Sequence, residues 1–266
     1  RGDYGWLTPA LAPIYRDFAL DDLAPHLAAH GIGSTILVQA APTEAETAFL
    51  LQVAAQNPVV AGVVGWTNFD AADARIDALA AEPLLVGLRP MVQDMADDDW
   101  LLRDQLAPAL KAMARHRLVF DALVRPHHLS RVAVLADRHP DLTIVLDHLG
   151  KPDIATGGQD AWRRDFARLA GRRNVICKLS GLVTEARADW TIADLKPYVD
   201  HALSCFGPQR LLWGSDWPVV ELAGGYTRWR QATETLLRDL AEEERAVIFG
   251  ETAERVYLNG RGRRKA

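Results

Sequence analysis

Short apolar runs rich in valine, isoleucine and leucine recur along the chain, and a stretch with helical periodicity follows each of them. The runs are almost continuously apolar, which is typical of strands that are buried on both faces. Successive runs begin about 24 to 36 residues apart, enough for a strand, a loop and a crossover helix. The predicted strands cover residues 35–40, 59–66, 84–89, 118–124, 142–148, 175–179 and 211–213.

Strands that alternate with helices indicate a parallel sheet, either closed into a (β/α)8 TIM barrel or left open with seven strands. Residues 21–30 predict a helix after a long loop over residues 2–20, which is the second half of a strand–helix unit. We therefore expect a (β/α)8 barrel whose first strand lies upstream of Arg1. No change in composition marks a linker, so we expect one domain over residues 1–266.

Composition excludes several classes of protein. The chain has 266 residues, of which 49% are hydrophobic and 24% charged, as in ordinary globular proteins. A net charge of −5 without a basic stretch in the body gives no electrostatic argument for a nucleic-acid partner. No apolar run reaches the roughly 18 residues of a membrane span. Two cysteines are too few for a disulfide framework, so we expect a cytoplasmic protein.

Polar side chains stand where the predicted strands end. In a (β/α)8 barrel the working residues project from the carboxyl ends of the strands, so these side chains are the candidates for chemistry. They are Gln39, Trp66, Arg89, Asp121 with Arg125, His148, Lys178 with Ser180, and Asp216.

His148 and Asp216 are the strongest candidates for catalysis. Asp216 closes an apolar strand between two tryptophans, where a carboxylate is costly unless it is paired or bound to a metal. A helix cap is the alternative for Asp216, but Pro218 disfavours a helix at Trp217. A satisfied core histidine is the alternative for His148. Alternation along residues 142–148 predicts that His148 faces the mouth and that Asp147 faces the helices.

The other polar residues at the strand ends suit substrate binding. Arg89 could clamp a carbonyl or carboxylate group or form an ion pair at the rim, and Lys178 could assist it or remain solvated. Gln39, Trp66 and Trp217 would complete a rim of mixed polarity, which suits a polyol. A second rim arginine, Arg125, leaves a dicarboxylate substrate open.

Other motifs for chemistry are missing or weak. His26 and His30 lie four residues apart on one predicted helix, but they lack the glutamate of an HExxH motif. His127 and His128 lie at a predicted helix start, where polar residues are common. The sequence has no G-x-S-x-G, P-loop or G-x-G-x-x-G motif, so serine-hydrolase, P-loop and dinucleotide-binding functions lack their signatures.

Two segments carry a resemblance to a known family. They are Leu146-Asp147-His148-Leu149-Gly150-Lys151-Pro152 and Trp213-Gly214-Ser215-Asp216-Trp217-Pro218. Both resemble the amidohydrolase-2 group of the amidohydrolase superfamily, in particular the sugar-lactone lactonases and pyrone-dicarboxylate lactonase. The resemblance implies a (β/α)8 barrel that hydrolyses lactones at its mouth.

The same resemblance implies roles for individual residues. Asp216 would take a proton from water or hold water beside a metal. His148 would polarise the carbonyl group or protonate the ring oxygen. Arg89, alone or with Lys178, would stabilise the oxyanion or a carboxylate group of the substrate. The resemblance implies either one divalent ion, zinc or manganese, with Asp216 among its ligands, or no metal. The family's His-x-His pair is not in the chain, and we expect it upstream of Arg1.

We therefore predict an enzyme that opens a sugar lactone, an aldono-1,4- or 1,5-lactone, and acts as a monomer or homodimer. The alternatives from the same superfamily are a metal-dependent decarboxylase, a lactone isomerase and a hydrolase for a dicarboxylate lactone of the pyrone type. A non-catalytic barrel is a further alternative, although barrels of this kind almost always carry chemistry at the rim.

Overall fold

A computed structural model describes residues 2–71 and 73–258. Its seven strands coincide with the seven predicted apolar runs, although each is the same length or shorter. They are β1 (Thr35–Val38), β2 (Val60–Gly65), β3 (Leu85–Leu88), β4 (Val119–Ala122), β5 (Ile144–Leu146), β6 (Val175–Leu179) and β7 (Leu211–Trp213). The strands form one sheet in sequence order, and every neighbouring pair is parallel.

Helices alternate with these strands, as the sequence predicts. They are α1 (Leu20–Ala29), α2 (Glu44–Gln56), α3 (Asp73–Leu79), α4 (Ala107–Arg115), α5 (Leu129–Arg138), α6 (Asp160–Ala170), α7 (Ile192–Phe206), α8 (Gly225–Leu236) and α9 (Glu242–Ala246). Two π-helical turns, Val247–Glu251 and Glu254–Leu258, follow α9. The N-terminal segment contains a 3-10 helix, Pro9–Ile14. Among the described residues, no helix is long and apolar enough to cross a membrane.

The core has two layers, one on each face of the sheet. A large cluster fills the space between the strands and the helices, and a smaller one lies inside the sheet. The inner cluster takes one residue from each of β2–β7 and adds Tyr257. Side chains from so many strands can contact one another only where the sheet curls around them. The predicted TIM-barrel-type fold is thus confirmed, and in the described chain β1 and β7 are the edges of the sheet.

Candidate active site

His148 and Asp216 lie next to each other, although 68 residues separate them in sequence. His148 follows β5 and Asp216 follows β7, so both stand at the carboxyl end of the sheet. His148 Nε2 and Asp216 Oδ1 are 3.8 Å apart, and their side chains are 8% and 19% exposed. The histidine is therefore buried, while the carboxylate keeps limited access to solvent.

Left-handed backbone at both residues directs these side chains. His148 has a φ of 53° and Asp216 a φ of 55°, in a region that non-glycine residues rarely adopt. Each such residue costs about 1 kcal/mol or more, and strain of this kind is concentrated at functional sites. β5 ends at Leu146 and β7 at Trp213, so both residues lie in the turns that follow their strands.

Asp147 departs from the sequence-based prediction, in which it faces the helices. It is completely buried and pairs with Arg89 and Lys178. The predicted alternation has the wrong phase: Val145 belongs to the inner cluster, whereas Leu146 belongs to the cluster between sheet and helices. Asp147 continues the inner face of β5. The left-handed turn at His148 redirects its ring toward Asp216.

The His148 ring is held on its other side by the loop after β6. Its Nδ1 lies 2.8 Å from Ser180 Oγ, and the ring packs against the backbone of Gly181. Burial lowers the pKa of His148 and outweighs the opposing effect of the Asp216 charge. The imidazole is therefore neutral near pH 7, and when Ser180 donates to Nδ1 the proton resides on Nε2.

Replacing Gly181 with alanine should displace the ring. A Cβ at this position would lie 2.5 Å from His148 Nδ1, and the φ of +63° is itself unfavourable for alanine. We expect kcat/KM to fall by at least about 10-fold, because small displacements of catalytic groups are costly. Hydrolysis assays measure the loss of activity, and thermal unfolding separately measures the loss of stability caused by the unfavourable backbone.

Gly31→Ala is the matched control for this substitution. Gly31 follows α1 and has a φ of +63°, but a Cβ added there would meet no atom of the described residues within 4 Å. We expect both variants to lose about 1 kcal/mol of stability from backbone strain, and only Gly181→Ala to lose activity. Equal activity in the two variants would show that contact with Gly181 does not set the position of the ring.

Arg89 and Gln39 form a buried pair at the ends of β3 and β1. Gln39 Nε2 donates to the Arg89 carbonyl oxygen at 2.6 Å, and Arg89 Nη2 donates to the Gln39 carbonyl oxygen. Arg89 Nη1 donates to Asp147 Oδ2 at 3.0 Å, and its side chain is only 11% exposed. Arg89 is thus fixed in a largely dry environment, where its charge acts more strongly than in water.

Lys178 lies between two carboxylates inside the barrel. Its Nζ donates to Asp121 Oδ2 at 2.9 Å and to Asp147 Oδ1 at 2.6 Å. Burial alone would lower the pKa of Lys178, but the two carboxylates raise it, so the ammonium group stays charged. Burial also favours protonated Asp147, yet Lys178 and Arg89 hold the pKa of Asp147 well below its usual range. The lysine is therefore not solvated, and its role in substrate binding stays a prediction.

The two predicted tryptophans have different surroundings. The backbone N–H and carbonyl group of Trp66 both bond to Thr47 Oγ1, and its side chain is half-buried. The Trp217 ring meets the Phe18 ring edge-on, with centroids 5.1 Å apart. Trp217 also lines a cavity of about 210 Å³ together with Pro13, Arg16, Phe18, Asp22, His26 and Glu221. The N-terminal segment thus forms part of a cavity with Trp217, the residue that follows Asp216.

The remaining sequence candidates have other partners than His148 and Asp216. His26 and His30 stack on Tyr226, with ring centroids 4.9 and 5.7 Å away. Arg125 Nε donates to the carbonyl oxygen of Gln93. This backbone contact occupies part of the guanidinium that a dicarboxylate substrate would need.

The described residues offer only part of a metal site at the candidate active centre. His148 Nε2 and Asp216 Oδ1 are close enough to share one ion, but catalytic zinc typically has three protein ligands. In the ranges that the structure describes, no third His, Cys, Asp or Glu joins this pair.

A second group of possible metal ligands consists of Asp98, His127 and His128. Asp98 Oδ1 lies 3.2 Å from His127 Nε2 and 3.4 Å from His128 Nε2. However, His128 Nδ1 accepts a hydrogen bond from the backbone N–H of Arg125. The proton of neutral His128 is therefore on Nε2, which removes that nitrogen as a ligand.

Comparisons with known proteins extend these observations. The sequence model of a family described as Amidohydrolase matches residues 5–258. L-fucono-1,5-lactonase from Burkholderia ambifaria is 45% identical over 258 residues, which are 95% of this chain and 89% of the relative. L-fucono-1,5-lactonase from Burkholderia multivorans is 37% identical over 96% of this chain and 90% of the relative.

Solved structures include similar chains. Two crystal structures of an amidohydrolase from Burkholderia multivorans, one with bound HEPES and one with bound zinc, each give a TM-score of 0.91. They are 36% identical to this chain, and the match covers 96% of this chain and 94% of theirs.

Proposed function

The chain belongs to the amidohydrolase family, and we propose that it hydrolyses a sugar lactone of the L-fucono-1,5-lactone class by attack of water on the ring carbonyl group. The observation that carries this proposal is the placement of His148 Nε2 and Asp216 Oδ1, 3.8 Å apart at the carboxyl end of the sheet. A family match alone would leave the reaction open, because one fold supports many activities.

The spacing of the two groups suits a single bridging water molecule. Two atoms 3.8 Å apart are too distant for a hydrogen bond to each other, but one oxygen atom can lie about 2.8 Å from both. His148 Nε2–H would donate to this water, and the water would donate to Asp216. One lone pair of the water then remains free to attack the carbonyl carbon.

The proton balance needs only Asp216. The carboxylate takes a proton from water as the new carbon–oxygen bond forms, and it returns that proton to the ring oxygen as the ester bond breaks. Neutral His148 orients the water rather than supplying a proton. Lactone and water together become one hydroxy acid, which ionises in solution.

Arg89 is the candidate stabiliser of the oxyanion. Its guanidinium is fixed by Asp147 and Gln39 before any substrate arrives, so little reorganisation is needed as charge develops. A positive group held in a largely dry site acts most strongly on the charge of the transition state.

The cavity beside Trp217 supports a sugar ring as substrate. It combines two aromatic rings with charged groups, among them Arg16, Asp22 and Glu221. Sugars place their apolar faces on aromatic rings and their hydroxyl groups on polar side chains. Both Burkholderia relatives are L-fucono-1,5-lactonases, which also supports a sugar lactone as substrate.

The site also contains residues that would hold a metal ion. Asp216 and His148 are the residues of this chain that would contact a divalent ion, and such an ion would lower the pKa of a bound water. The steps above need no such ion.

A substrate screen tests the proposal. Base uptake is recorded with a pH indicator for L-fucono-1,5-lactone, other aldono-1,4- and 1,5-lactones and a pyrone dicarboxylate, each with and without a chelator. We expect the fastest hydrolysis with a 1,5-lactone of a sugar acid. Activity that a chelator abolishes and zinc or manganese restores would assign a metal to the site.

Other outcomes of the screen would favour the alternatives. Conversion of a lactone without base uptake would indicate an isomerase. Release of CO₂ from an unsaturated acid would indicate a decarboxylase. Hydrolysis of the pyrone dicarboxylate alone would replace the sugar lactone by a dicarboxylate lactone, and no turnover of any lactone would contradict the proposal.

A further inference from the structure

A chain of buried polar side chains runs through the inside of the sheet. The Tyr257 hydroxyl lies 2.9 Å from both carboxylate oxygens of Asp121 and donates to them, and Lys178 Nζ bridges Asp121 and Asp147. Asp147 in turn accepts from Arg89 Nη1. These contacts connect residues from the C-terminal segment, β4, β6, the end of β5 and the end of β3.

The two ends of this chain of buried side chains, Tyr257 and Arg89, lie at opposite ends of the sheet. Arg89 follows β3, at the end where His148 and Asp216 lie. Arg255 and Val256 line a cavity with Leu118 and Asn174, which come directly before β4 and β6. The turn Glu254–Leu258 therefore covers the end of the sheet that is remote from the candidate active site, and Tyr257 points inward from it.

The charges of these buried side chains balance one another. Lys178 and Arg89 carry two positive charges, and Asp121 and Asp147 carry two negative charges when both are ionised. The two carboxylates are completely buried. Such networks are weak evidence for stability, because well-packed apolar residues in their place are often neutral or stabilising. The contact of the network with Arg89 points instead to a role in catalysis.

We propose that the buried chain from Tyr257 through Asp121, Lys178 and Asp147 positions the Arg89 guanidinium for catalysis. Tyr257 is thus a positioning residue that acts from the far end of the barrel. This inference rests on the proposed hydrolysis of lactones.

Tyr257→Phe tests the far end of the chain. The phenylalanine ring keeps the contacts of Tyr257 with the inner cluster and removes only the hydroxyl group. Burial raises the pKa of Asp121 to about 6, and the Tyr257 hydroxyl opposes that shift because it donates to the carboxylate. Loss of the donor raises the pKa of Asp121 further, by about one unit for a hydrogen bond to a charged group.

The expected result follows from the charge balance. Once Asp121 is protonated, Lys178 and Arg89 share only Asp147, and Arg89 is less firmly held. The acid limb of kcat/KM for L-fucono-1,5-lactone should therefore move upward by about one pH unit in Tyr257→Phe, with KM within about twofold of wild type at pH 8. A pH profile that superimposes on that of wild type would overturn the proposal.

Tyr198→Phe is the matched control. Tyr198 is 1% exposed, lies on α7 and belongs to the cluster outside the sheet. Its replacement should lower the melting temperature without moving the pH profile. Equal shifts of the pH profile in both variants would mean that general loosening, and not the inner chain, is responsible.

Asp147→Asn tests the near end of the chain. The amide keeps the size of the side chain but holds only one of the two cations well, so kcat should fall by about 10-fold or more with little change in KM. An unchanged kcat would contradict the proposal even if Tyr257→Phe shifts the profile.

A measurement without substrate separates this inference from the proposed function. The Nε–H resonance of Arg89, assigned by its loss in Arg89→Lys, reports how firmly the guanidinium is held. We expect it to shift between pH 8 and pH 6 in Tyr257→Phe and to shift less in wild type and Tyr198→Phe. A wild type that hydrolyses no lactone would end the proposed function alone, whereas identical resonances in all three proteins would end the positioning role.

Discussion

Asp216→Asn is expected to lower kcat for L-fucono-1,5-lactone by about 10²- to 10⁴-fold. Asparagine keeps the size of the side chain, but its amide cannot take a proton from the attacking water or return one to the ring oxygen. The left-handed backbone at Asp216, with φ at 55°, is tolerated by asparagine as well as by aspartate. The folded structure should therefore survive, and the loss should fall on kcat. Initial rates of base uptake, corrected for spontaneous hydrolysis of the lactone, measure it.

Asp189→Asn is the control for this substitution. Asp189 is exposed and forms an ion pair with neighbouring Arg187, so its replacement should leave kcat and the melting temperature unchanged within error. A turnover of Asp216→Asn near that of wild type would exclude Asp216 as the base. A comparable loss in both variants would point to a nonspecific effect of the lost charge.

The second large effect is expected at Arg89. Arg89→Lys keeps the positive charge, but a lysine cannot reproduce the planar fork that contacts Asp147 and Gln39 together. We expect kcat to fall by about 10²- to 10³-fold, the range observed when an oxyanion donor is lost. KM should change much less, because the interaction strengthens in the transition state. Steady-state kinetics at pH 8 separate the two constants.

Arg138→Lys provides the control for Arg89→Lys. Arg138 is half exposed on α5 and donates to the carbonyl oxygen of Leu102. Its replacement should leave both kinetic constants unchanged. If Arg89→Lys raised KM and left kcat intact, Arg89 would bind the ground state of the substrate and would not stabilise the oxyanion.

Periodicity is sufficient to predict the sheet. Strands buried on both faces are apolar throughout, so the seven runs stand out between amphipathic helices. The rule that chemistry lies at the carboxyl ends of barrel strands then selects His148, Asp216 and Arg89. These residues can be found because each follows the end of its strand closely in the sequence.

The orientation of Asp147 cannot be predicted in the same way. Alternation gives the two faces of a strand but does not say which face is inner, and residues 144–146 are apolar on both faces. The left-handed conformation of His148 and Leu149 carries no sequence signal, because both are ordinary residues. Strand alternation after Asp147 would point His148 toward the helices, but this left-handed turn directs its ring toward Asp216.

Tyr257 escapes sequence analysis for a different reason. It lies 136 residues from Asp121, and a tyrosine in a helical segment is usually a packing residue. Asp121 is recognisable as a residue at a strand end, but nothing in its sequence surroundings indicates Lys178 or Tyr257 as partners. Contacts inside a barrel join residues that are distant in sequence, so only the folded chain brings them together.

A double-mutant cycle on His148 and Asp216 tests most directly whether the two residues activate the same water. The kcat of wild type, His148→Gln, Asp216→Asn and the double variant is measured for L-fucono-1,5-lactone. If both residues hold one water, the double variant should be about as slow as Asp216→Asn alone, because orientation of the water by His148 has no effect once the base that takes its proton is gone. Losses that multiply would show that the two residues act independently, and that result would contradict the account.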